Sequence, residues 1–521
     1  SRSSASRAAI RPPARYSTRS ASSIVDTRWA TTTTVVGRFS PRSGVREGAA
    51  IDVAVAIVNH VVTQGFRAAL LPGMDLRRGI PREWRTLVAV PTFLTTAQDI
   101  DEQIGRLEIH YLASPEGDLH FALLSDWVDA ETEHAEGDEE LLALAKEGVA
   151  RLNRRYGPAA GGDRLLLLHR RRVWNKGEAR WIGWERKRGK LGELNRLLRG
   201  ASGTTFLSPP AVPPNVRFVI TLDADTRLPR ETVGRLIGKM AHPLNRPRFD
   251  AVLGRVVEGH AVLQPRVTPA LPVGREGSLF LRVFSSASGI DPYSAAVSDV
   301  YQDLFGEGSY TGKGIYDVDA FELALQGRVR DSTLLSHDLY EGIFARAGLA
   351  SDVEVVEEFP ARYDVAARRH HRWTRGDWQL LPWILGRGPM PTSQRRHGSV
   401  PAIGRWKMLD NVRRSLSAPS IVVALVAGWT LSIENAAVWT AFIVFTMALP
   451  PLLSVISDII PRRSDVALRN HLRTLSADLR LALVQLGLMV IFLADQAWLM
   501  GDAIVRTLIR LPLTRRHLLE W

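Results

Sequence analysis

The chain has 521 residues, of which 45% are hydrophobic and 23% charged, values that exclude both a disordered chain and one buried wholly in a membrane. Its formal net charge is +13, and residues 1–48 supply about half of it, with nine arginines against two acidic residues. The remainder is only mildly basic, which argues against nucleic acid as a partner, and the absence of cysteine excludes disulfides, thiolate metal sites and thiol nucleophiles.

The first 80 residues are predicted to contribute little to a folded core. Residues 1–48 are rich in Ser and Arg, and Pro12-Pro13 interrupts any helical pattern, so we expect a disordered basic leader. Residues 49–63 form an apolar run that is too short to cross a bilayer. We interpret residues 49–80 as an apolar helix at the membrane edge followed by a linker.

From about residue 84 onward, apolar strand patterns alternate with amphipathic helical patterns. The segments that read as buried strands are WRTLVAVPTF, LHFALLSD, RLLLLHR and VRFVITLDAD, and DIDEQIGRLEIHYLA reads as a helix between the first two. Nearly continuous apolar strands separated by helices are typical of a parallel sheet covered on both faces. The sequence therefore predicts an α/β domain with a doubly wound, mostly parallel sheet over residues 81–400.

The composition changes after residue 400, and residues 401–521 are predicted to form interfacial and transmembrane helices. Residues 420–433 and 436–457 carry no charge, with Glu434-Asn435 between them, and this pattern favours a membrane hairpin. Arginines before and after the hairpin predict that both of its ends face the cytoplasm. A buried hairpin in a soluble domain is the alternative. A third apolar run, residues 481–494, fits a spanning or an interfacial helix equally well.

The strongest chemical signal is Asp223-Ala224-Asp225, which directly follows an apolar strand. Open α/β sheets bind ligands at the carboxyl ends of their strands, and two close carboxylates repel each other unless a cation joins them. Mg²⁺ or Mn²⁺, bound to carboxylate and phosphate oxygens together, supplies that charge. Two other interpretations stay open. One is a capped loop, and the other is a phosphatase of the haloacid-dehalogenase type, although Thr226 follows the second aspartate one position too early for it.

The other candidate residues are weak signals when taken singly. Asp126 ends a predicted strand and Asp338 begins a predicted helix, so either could serve only as a cap. Lys187, Arg188 and Lys190 cluster at the start of a predicted helix, where they could bind an anion or form a solvated face. None of these residues indicates a function without the others.

In chain order these residues form a series that resembles a known family. The series runs Asp126, Asp223-x-Asp225, Asp338 and Arg369-His370-His371-Arg372-Trp373, and an apolar hairpin follows it. It resembles the processive inverting glycosyltransferases, which include cellulose, chitin and hyaluronan synthases. A closer similarity is to the glycosyltransferase domain of cyclic β-1,2-glucan synthases, which are large bacterial inner-membrane proteins. The segments that carry it are WERKRGKLGELNRLLRG, FVITLDADTRLPR, LQPRV, GSYTGKGIYDVDAFE and SHDLYEG.

The resemblance implies a GT-A-like fold and an enzyme that uses UDP-glucose, with Mg²⁺ or Mn²⁺, to extend a β-glucan chain. It implies that Asp338 is the general base, although Ser336-His337-Asp338 stands where the family has Thr-Glu-Asp. The implied nucleotide-sugar residues are Asp126, Lys190, Asp223, Asp225, Arg369, Arg372 and Trp373, of which Asp223 and Asp225 also hold the metal. The implied acceptor residues are Gln264, Gly312, Lys313 and Trp373. The family builds its glucan on the protein itself, so Tyr293 and Tyr310 are candidate attachment sites as well as ordinary packing residues.

The resemblance also implies a location and a set of partners. It implies a multi-pass protein of the bacterial inner membrane with its catalytic domain in the cytoplasm, in contact with lipids, with the growing glucan and with other domains of a larger synthase. No nucleic acid is expected as a partner. One open alternative is another processive polysaccharide synthase with a different donor or linkage. A membrane-anchored protein that binds nucleic acid or anionic lipid is the other, suggested by the +13 charge and the Arg-Trp run.

Overall fold

The computed structural model describes residues 68–114, 116–270, 277–285, 299–388, 399–457, 459 and 468–520, with isolated positions between 54 and 62. The predicted leader, most of the predicted membrane-edge segment and Tyr293 lie outside the described residues. The described strands are β1 Thr86–Leu94, β2 Leu119–Trp127, β3 Leu165–Arg170, β4 Val173–Asn175, β5 Arg180–Ile182, β6 Phe218–Thr221, β7 Thr226–Arg227, β8 Arg248–Asp250, β9 Arg255–Glu258, β10 Val262–Pro269, β11 Gly314–Asp317 and β12 Gly348–Glu357.

The described helices fall into a set around the sheet and a set that follows it. Those around the sheet are α1 Ala97–Leu112, α2 Asp138–Tyr156, α3 Arg186–Leu198, α4 Thr232–Ala241, α5 Leu279–Phe284, α6 Val300–Phe305, α7 Val318–Leu325, α8 Asp338–Phe344, α9 Tyr363–Gln379 and α10 Leu381–Ile384. Those that follow are α11 Ala402–Gly428, α12 Ile433–Ser457 and α13 Leu468–Ile509, which continues into a short π-helical segment, Arg510–Thr514.

An eight-stranded sheet in the order β3-β2-β1-β6-β11-β10-β12-β7 forms the centre of the fold. Its strands run in one direction except β11 and β7, which pair antiparallel with their neighbours. The strands predicted from sequence are all present, as β1, β2, β3 and β6. The predicted fold class, α/β with a mostly parallel sheet and C-terminal helices, is confirmed.

Successive side chains of β1 point into two separate cores, which is why the sheet is covered on both faces. Val88 and Val90 pack with α1, α2 and α4, whereas Leu87 and Ala89 pack with α3, α7 and α8. All four are buried. Burying each valine or leucine side chain stabilises the fold by roughly 1.5–3 kcal/mol, so a strand that is apolar on both faces favours this interior position. The sheet is therefore doubly wound, as predicted.

The carboxyl ends of several strands meet at one edge of this sheet. β1 pairs in parallel with both β2 and β6, and β12 pairs in parallel with β10. Asp126 lies near the end of β2, Asp223 lies two residues after β6, and Glu357 ends β12. The topology thus brings acidic residues that are far apart in sequence to the same edge.

The helices after the α/β unit are apolar and largely exposed. In the described part of the chain, α12 and α13 with its π-helical end are the helices that are long and apolar enough to cross a membrane, by length and composition alone. α13 also packs on the α/β unit, because Phe492 stacks on Tyr363 with 3.8 Å between ring centroids and Gln485 Nε2 donates to the carbonyl of Val283 at 3.0 Å. α13 is therefore attached to the sheet-bearing unit along its length.

The turn of the predicted membrane hairpin is not where the sequence pattern suggested. α11 ends at Gly428 and α12 begins at Ile433, so the turn lies at 429–432 and Glu434-Asn435 belongs to the first turn of α12. The prediction was wrong because the polar pair Glu434-Asn435 marks a helix start and not a loop. α11 begins at Ala402 with a polar half, which explains why it is not among the helices apolar enough to cross a membrane.

Candidate active site

The turn that carries Asp223 and Asp225 is closed by the residue that follows it. The backbone amide of Asp223 donates to Thr226 Oγ1 at 3.1 Å, and the amide of Thr226 donates to the carbonyl of Asp223 at 3.1 Å. Thr226 is buried and begins β7. Its side chain therefore fixes the turn, and both aspartates are presented at the edge of the sheet.

Asp223, Asp225 and Glu357 form a carboxylate cluster, each offering an oxygen within 4.8 Å of the others. Burial raises the pKa of Asp225, and the negative charges of Glu357 and Asp223 raise it further. Three hard oxygen donors with excess negative charge suit Mg²⁺ or Mn²⁺, so these residues fit a divalent cation. Sequence analysis missed Glu357 because β12 was not recognised as a strand that ends at the same edge.

Cationic side chains surround this cluster. Lys313 Nζ lies 2.9 Å from Asp223 Oδ2 and 3.1 Å from Glu357 Oε2, and Arg369 donates to Glu357 Oε1. Lys187 Nζ donates to Asp223 Oδ1 and, at 2.8 Å, to the carbonyl of Gly312. Although burial opposes it, the charges of Lys187 and Lys313 hold the pKa of Asp223 far below its usual value. Lys313, expected on the acceptor side, thus lies among the carboxylates instead.

Lys190 and Asp126 form a separate, enclosed ion pair. Lys190 Nζ donates to the carbonyls of Thr92 and Leu124 and lies 3.0 Å from Asp126 Oδ2. Arg170 binds both oxygens of Asp126 at 2.8 Å. Burial opposes the charged forms of both residues. It lowers the pKa of Lys190 to about 8, while the neighbouring Arg170 and Lys190 lower that of Asp126 to about 2.

This enclosure differs from the implied roles of the two residues. The side chains of Asp126 and Lys190 are only 2% and 3% exposed, and Arg170 and the two carbonyls already occupy their polar atoms. They tie the ends of β1 and β2 to α3, and neither reaches Asp223. The sequence alone does not tell whether Lys187 or Lys190 reaches Asp223, since both belong to the same basic run.

Asp338 begins α8 and faces Gly312. A Cβ atom built on Gly312 would lie 2.6 Å from Asp338 Oδ1, and Gly312 has a φ of +86°, so glycine is required there for both reasons. Within the described part of the chain, Asp338 Oδ1 is buried without a hydrogen-bond partner. Lys313, which follows Gly312 in the loop, contacts Asp223. The residues Gly312-Lys313 therefore join the Asp338 carboxylate to the carboxylate cluster.

His337 and Glu341 lie close to Asp338, and His337 is the residue at which the sequence departs from the Thr-Glu-Asp of the family it resembles. His337 Nδ1 is 3.0 Å from Glu341 Oε1 and 3.5 Å from Asp338 Oδ1. Burial lowers the pKa of His337, but the two carboxylates outweigh it and raise the pKa above its usual value. An imidazole that contacts Glu341 thus stands beside Asp338 where the resemblance implies a carboxylate.

The implied residues of α9 are placed along one side of the site. Arg369 lies over the ring of Trp373, with its guanidinium carbon 4.9 Å from the ring centroid, and the spacing of four residues brings them to the same helix face. Trp373 is half-exposed and lines a cavity. Burial, then the charges of Arg369 and Arg375, lower the pKa of Arg372 to about 10. Arg372 still carries its charge at neutral pH.

Gln264, implied on the acceptor side, and Tyr310, a candidate attachment site, lie at the loop before Gly312. Gln264 Nε2 donates to Thr311 Oγ1 at 2.6 Å, and the amide of Thr311 donates to Gln264 Oε1 at 2.8 Å. Tyr310 is only 3% exposed, and burial, with the charges of Asp338 and Glu341, raises the pKa of its phenol well above its usual value. A buried phenol that resists ionisation is poorly suited to glucan attachment, and a packing role fits Tyr310 better.

A cavity of about 420 Å³ connects Asp338 to the first C-terminal helix. On the site side it is lined by Lys313, Glu357, Asp338, Arg369 and Trp373. On the side of α11 it is lined by Asp410, Asn411, Arg414 and Ser415. Carboxylate, amide and hydroxyl groups beside an indole ring are the groups that bind sugar hydroxyls and sugar rings.

Comparisons with known proteins agree with the resemblance seen in the sequence. The chain is 48% identical over 474 residues to the cyclic beta-(1,2)-glucan synthase NdvB of Rhizobium meliloti (strain 1021), and the match covers 91% of this chain. It spans only 16% of that relative's length. The predicted similarity to cyclic β-1,2-glucan synthases is thus confirmed. No protein family model matches the chain.

Among solved structures, the chain is similar to the mannosyltransferase PcManGT from Pyrobaculum calidifontis in complex with GDP-Man and Mn²⁺. The two are 15% identical with a TM-score of 0.44, and the match covers 85% of this chain and 97% of the other. So distant a likeness supports no argument about the site.

Proposed function

We propose that this chain, which resembles one segment of a cyclic β-(1,2)-glucan synthase, is a membrane-associated inverting glycosyltransferase that uses UDP-glucose to form a β-1,2-glucan. One observation carries the proposal. Gly312 packs on the Asp338 carboxylate, and Lys313 beside it binds Asp223 of the carboxylate cluster. Two consecutive loop residues thus contact a candidate cation site and a carboxylate with an unpartnered oxygen, and transfer from a nucleotide sugar can use such a pair as the donor site and the general base.

On the donor side, Asp223, Asp225 and Glu357 would hold Mg²⁺ or Mn²⁺. When bound, such an ion supplies positive charge to the leaving diphosphate. Arg369 and Arg372 lie on the same side of the site and add fixed positive charge, which favours the leaving group without any change of protonation. The buried ion pair of Asp126 and Lys190 holds the strand ends in place beneath the nucleotide.

On the acceptor side, Asp338 would act as the general base. Its unpartnered Oδ1 would accept the proton of an acceptor hydroxyl, whose oxygen attacks the anomeric carbon as the bond to UDP breaks. In-line attack on an α-linked donor yields a β linkage. Trp373 would stack on the acceptor sugar, and the cavity toward α11 would receive the glucan.

The choice of UDP-glucose, of the β-1,2 linkage and of the bacterial inner membrane rests on the relative's name and on the resemblance. Neither the +13 charge nor the Arg-Trp run favours nucleic-acid binding. Arg369, which belongs to that run, is paired with Glu357 and does not point unpaired into solvent. The two helices apolar enough to cross a membrane support a membrane location. The arginines before and after the apolar hairpin support a catalytic unit in the cytoplasm.

Linkage analysis of the product tests the proposal directly. Membranes that contain the chain are incubated with radiolabelled UDP-glucose and Mg²⁺ or Mn²⁺, and we expect a labelled polymer with β-1,2 bonds. Asp338→Asn should abolish it, whereas Asp319→Asn, an exposed acid of α7, should not. A product with another linkage would indicate a glycosyltransferase that belongs to a different type of synthase. Full turnover by Asp338→Asn would exclude Asp338 as the general base.

A further inference from the structure

Lys187 is the basic residue of α3 that reaches the carboxylate cluster. Its ammonium group contacts Asp223 Oδ1 and the carbonyl of Gly312. Its side chain is 22% exposed, whereas that of Lys190, one turn further along the helix, is 3% exposed and enclosed. Lys187 therefore lies at the border of the site, where its flexible side chain has room to move.

Each carboxylate oxygen of Asp223 contacts the ammonium group of one lysine, but the two lysines differ in their other partners and in their exposure. Lys313, on Oδ2, has a second carboxylate partner in Glu357 at 3.1 Å and is 7% exposed. The second partner of Lys187 is a neutral carbonyl. A divalent cation bound to Asp223 repels both ammonium groups, and the one with fewer charged partners and more exposure is displaced first.

The position of Lys187 in its helix is unfavourable unless an anion is close. It lies in the first turn of α3, which has no acidic residue and whose free amides already present positive charge. That end of a helix attracts phosphate groups. A lysine beside it gains from any anion that enters the site, and a diphosphate brings more negative charge than one divalent cation neutralises.

We propose that Lys187 is a mobile donor-site cation, which holds Asp223 before the donor binds and contacts the diphosphate once Asp223 binds the divalent cation. This inference rests on the proposed function, because it requires a nucleotide diphosphate at the carboxylate cluster. It assigns two partners to one side chain, so removal of the ammonium group has opposite effects on metal binding and on nucleotide binding.

Lys187→Met tests the proposal in the purified full chain in detergent. Without nucleotide, Mn²⁺ binding followed by electron paramagnetic resonance should become tighter by up to about fivefold, since a competing surface cation is gone. With saturating Mn²⁺, UDP binding measured by calorimetry should weaken about tenfold, the effect of one lost charge-assisted hydrogen bond. Lys187→Arg, which keeps the charge, should retain most of the UDP affinity.

The control is Lys146→Met, which removes an exposed lysine of α2 and should change neither measurement. If Lys187→Met weakened both Mn²⁺ and UDP binding, Lys187 would be a structural residue and the inference would be overturned. Unchanged binding of both would overturn it as well. If the unmodified chain bound neither Mn²⁺ nor UDP, the proposed function itself would fail, so the two failures are distinguishable.

Discussion

Gly312 is the single residue on which the geometry of the proposed base depends most. A Cβ atom there would lie 2.6 Å from Asp338 Oδ1, and the φ of +86° is strained for any other residue. We expect Gly312→Ala to displace the Asp338 carboxylate and to lower UDP release from UDP-glucose about a hundredfold, as misplacement by about 1 Å does. The melting temperature should fall by only about 2–4 °C.

The matched control for this substitution is Gly105→Ala. Gly105 lies within α1, where a Cβ atom would meet no other atom within 4 Å. Alanine is the better helix former, so this variant should keep its activity and melt slightly higher. Unchanged UDP release in Gly312→Ala would indicate that Asp338 does not take part in the reaction.

His337 gives the site a pH dependence with a defined sign. Burial lowers its pKa, but Glu341 and Asp338 raise it above the usual 6.5. A group whose pKa is raised on folding stabilises the fold fully below its unfolded pKa, and the stabilisation is lost as pH rises through the folded pKa. His337→Gln should therefore melt below the unmodified chain in mild acid, and the difference in melting temperature should narrow as the pH rises above 6.5.

Melting curves in a pH series measure this gap. The comparison variant is His242→Gln, because His242 caps a short turn at Pro243–Asn245 away from the carboxylates. This variant controls for the loss of a histidine at a place away from the carboxylates. If the gap of His337→Gln widened with rising pH, the imidazole would be neutral and its pairing with Glu341 would be unimportant.

Three acidic residues of the site could be picked out from the sequence, but Glu357 and the choice between Lys187 and Lys190 could not. Asp223, Asp225 and Asp338 stand at strand or helix ends, and such ends meet at one edge of a parallel sheet whatever the exact packing. Lys187 and Lys190 are separated by only about 4.5 Å along the helix axis. Which of them reaches Asp223 depends on the depth of α3 against β1 and β2, which no local pattern contains.

Among the elements, α13 combines a face that packs on the α/β unit with a face that is apolar and exposed. Phe492 stacks on Tyr363, and His371 Nε2 lies 2.9 Å from Asp502 Oδ2, so the contact continues for several turns. On the other face Ile491 is 71% exposed and Trp498 75%. A helix that packs on the α/β unit along one side and is apolar on the other favours a position in the membrane interface with its apolar face in lipid.

The depth of Ile491 in the bilayer distinguishes an interfacial from a spanning α13. The chain has no cysteine, so Ile491→Cys can be labelled at a single site with a fluorophore. In nanodiscs we expect stronger quenching by lipids brominated near the headgroup than by lipids brominated near the chain ends. Leu244→Cys, at a position 78% exposed on the α/β unit, should be quenched by neither. Stronger quenching by the deep label would indicate that α13 crosses the bilayer.

Element types were predictable where the apolar pattern was long, and element ends were not. β1, β2, β3 and β6 are apolar on both faces and were recognised by that pattern. β12 alternates buried with partly exposed residues in its second half and carries three acidic residues, so it did not resemble a buried strand, and Glu357 was missed with it. The hairpin turn was misplaced because a polar pair such as Glu434-Asn435 can start a helix as well as interrupt an apolar run.

Across the whole molecule, the segment after α13 connects this helix to both sides of the site. The amide of Leu519 donates to Glu178 Oε1 at 2.7 Å, and Arg186, next to Lys187, donates to the carbonyl of Leu519. Gln379 Nε2 donates to the carbonyl of Leu518, while its Oε1 accepts from the amide of Leu335. Contacts separated by more than 300 residues leave no local sequence pattern, so this docking could not be predicted.

If the docked segment helps to position the base, a substitution of Glu178 that loosens the segment should also increase hydrogen exchange at Leu335, three residues before Asp338. Glu178→Ala removes the acceptor of a buried amide, a loss of about 1–3 kcal/mol, and should therefore increase local opening of the segment about tenfold or more. Hydrogen exchange followed by mass spectrometry should then show faster exchange in the peptides that contain Leu519 and Leu335, although Glu178 contacts only the first. Glu139→Ala, at an exposed acid of α2, should change neither peptide. Faster exchange at Leu519 with none at Leu335 would show that the segment docks on the site without influencing it.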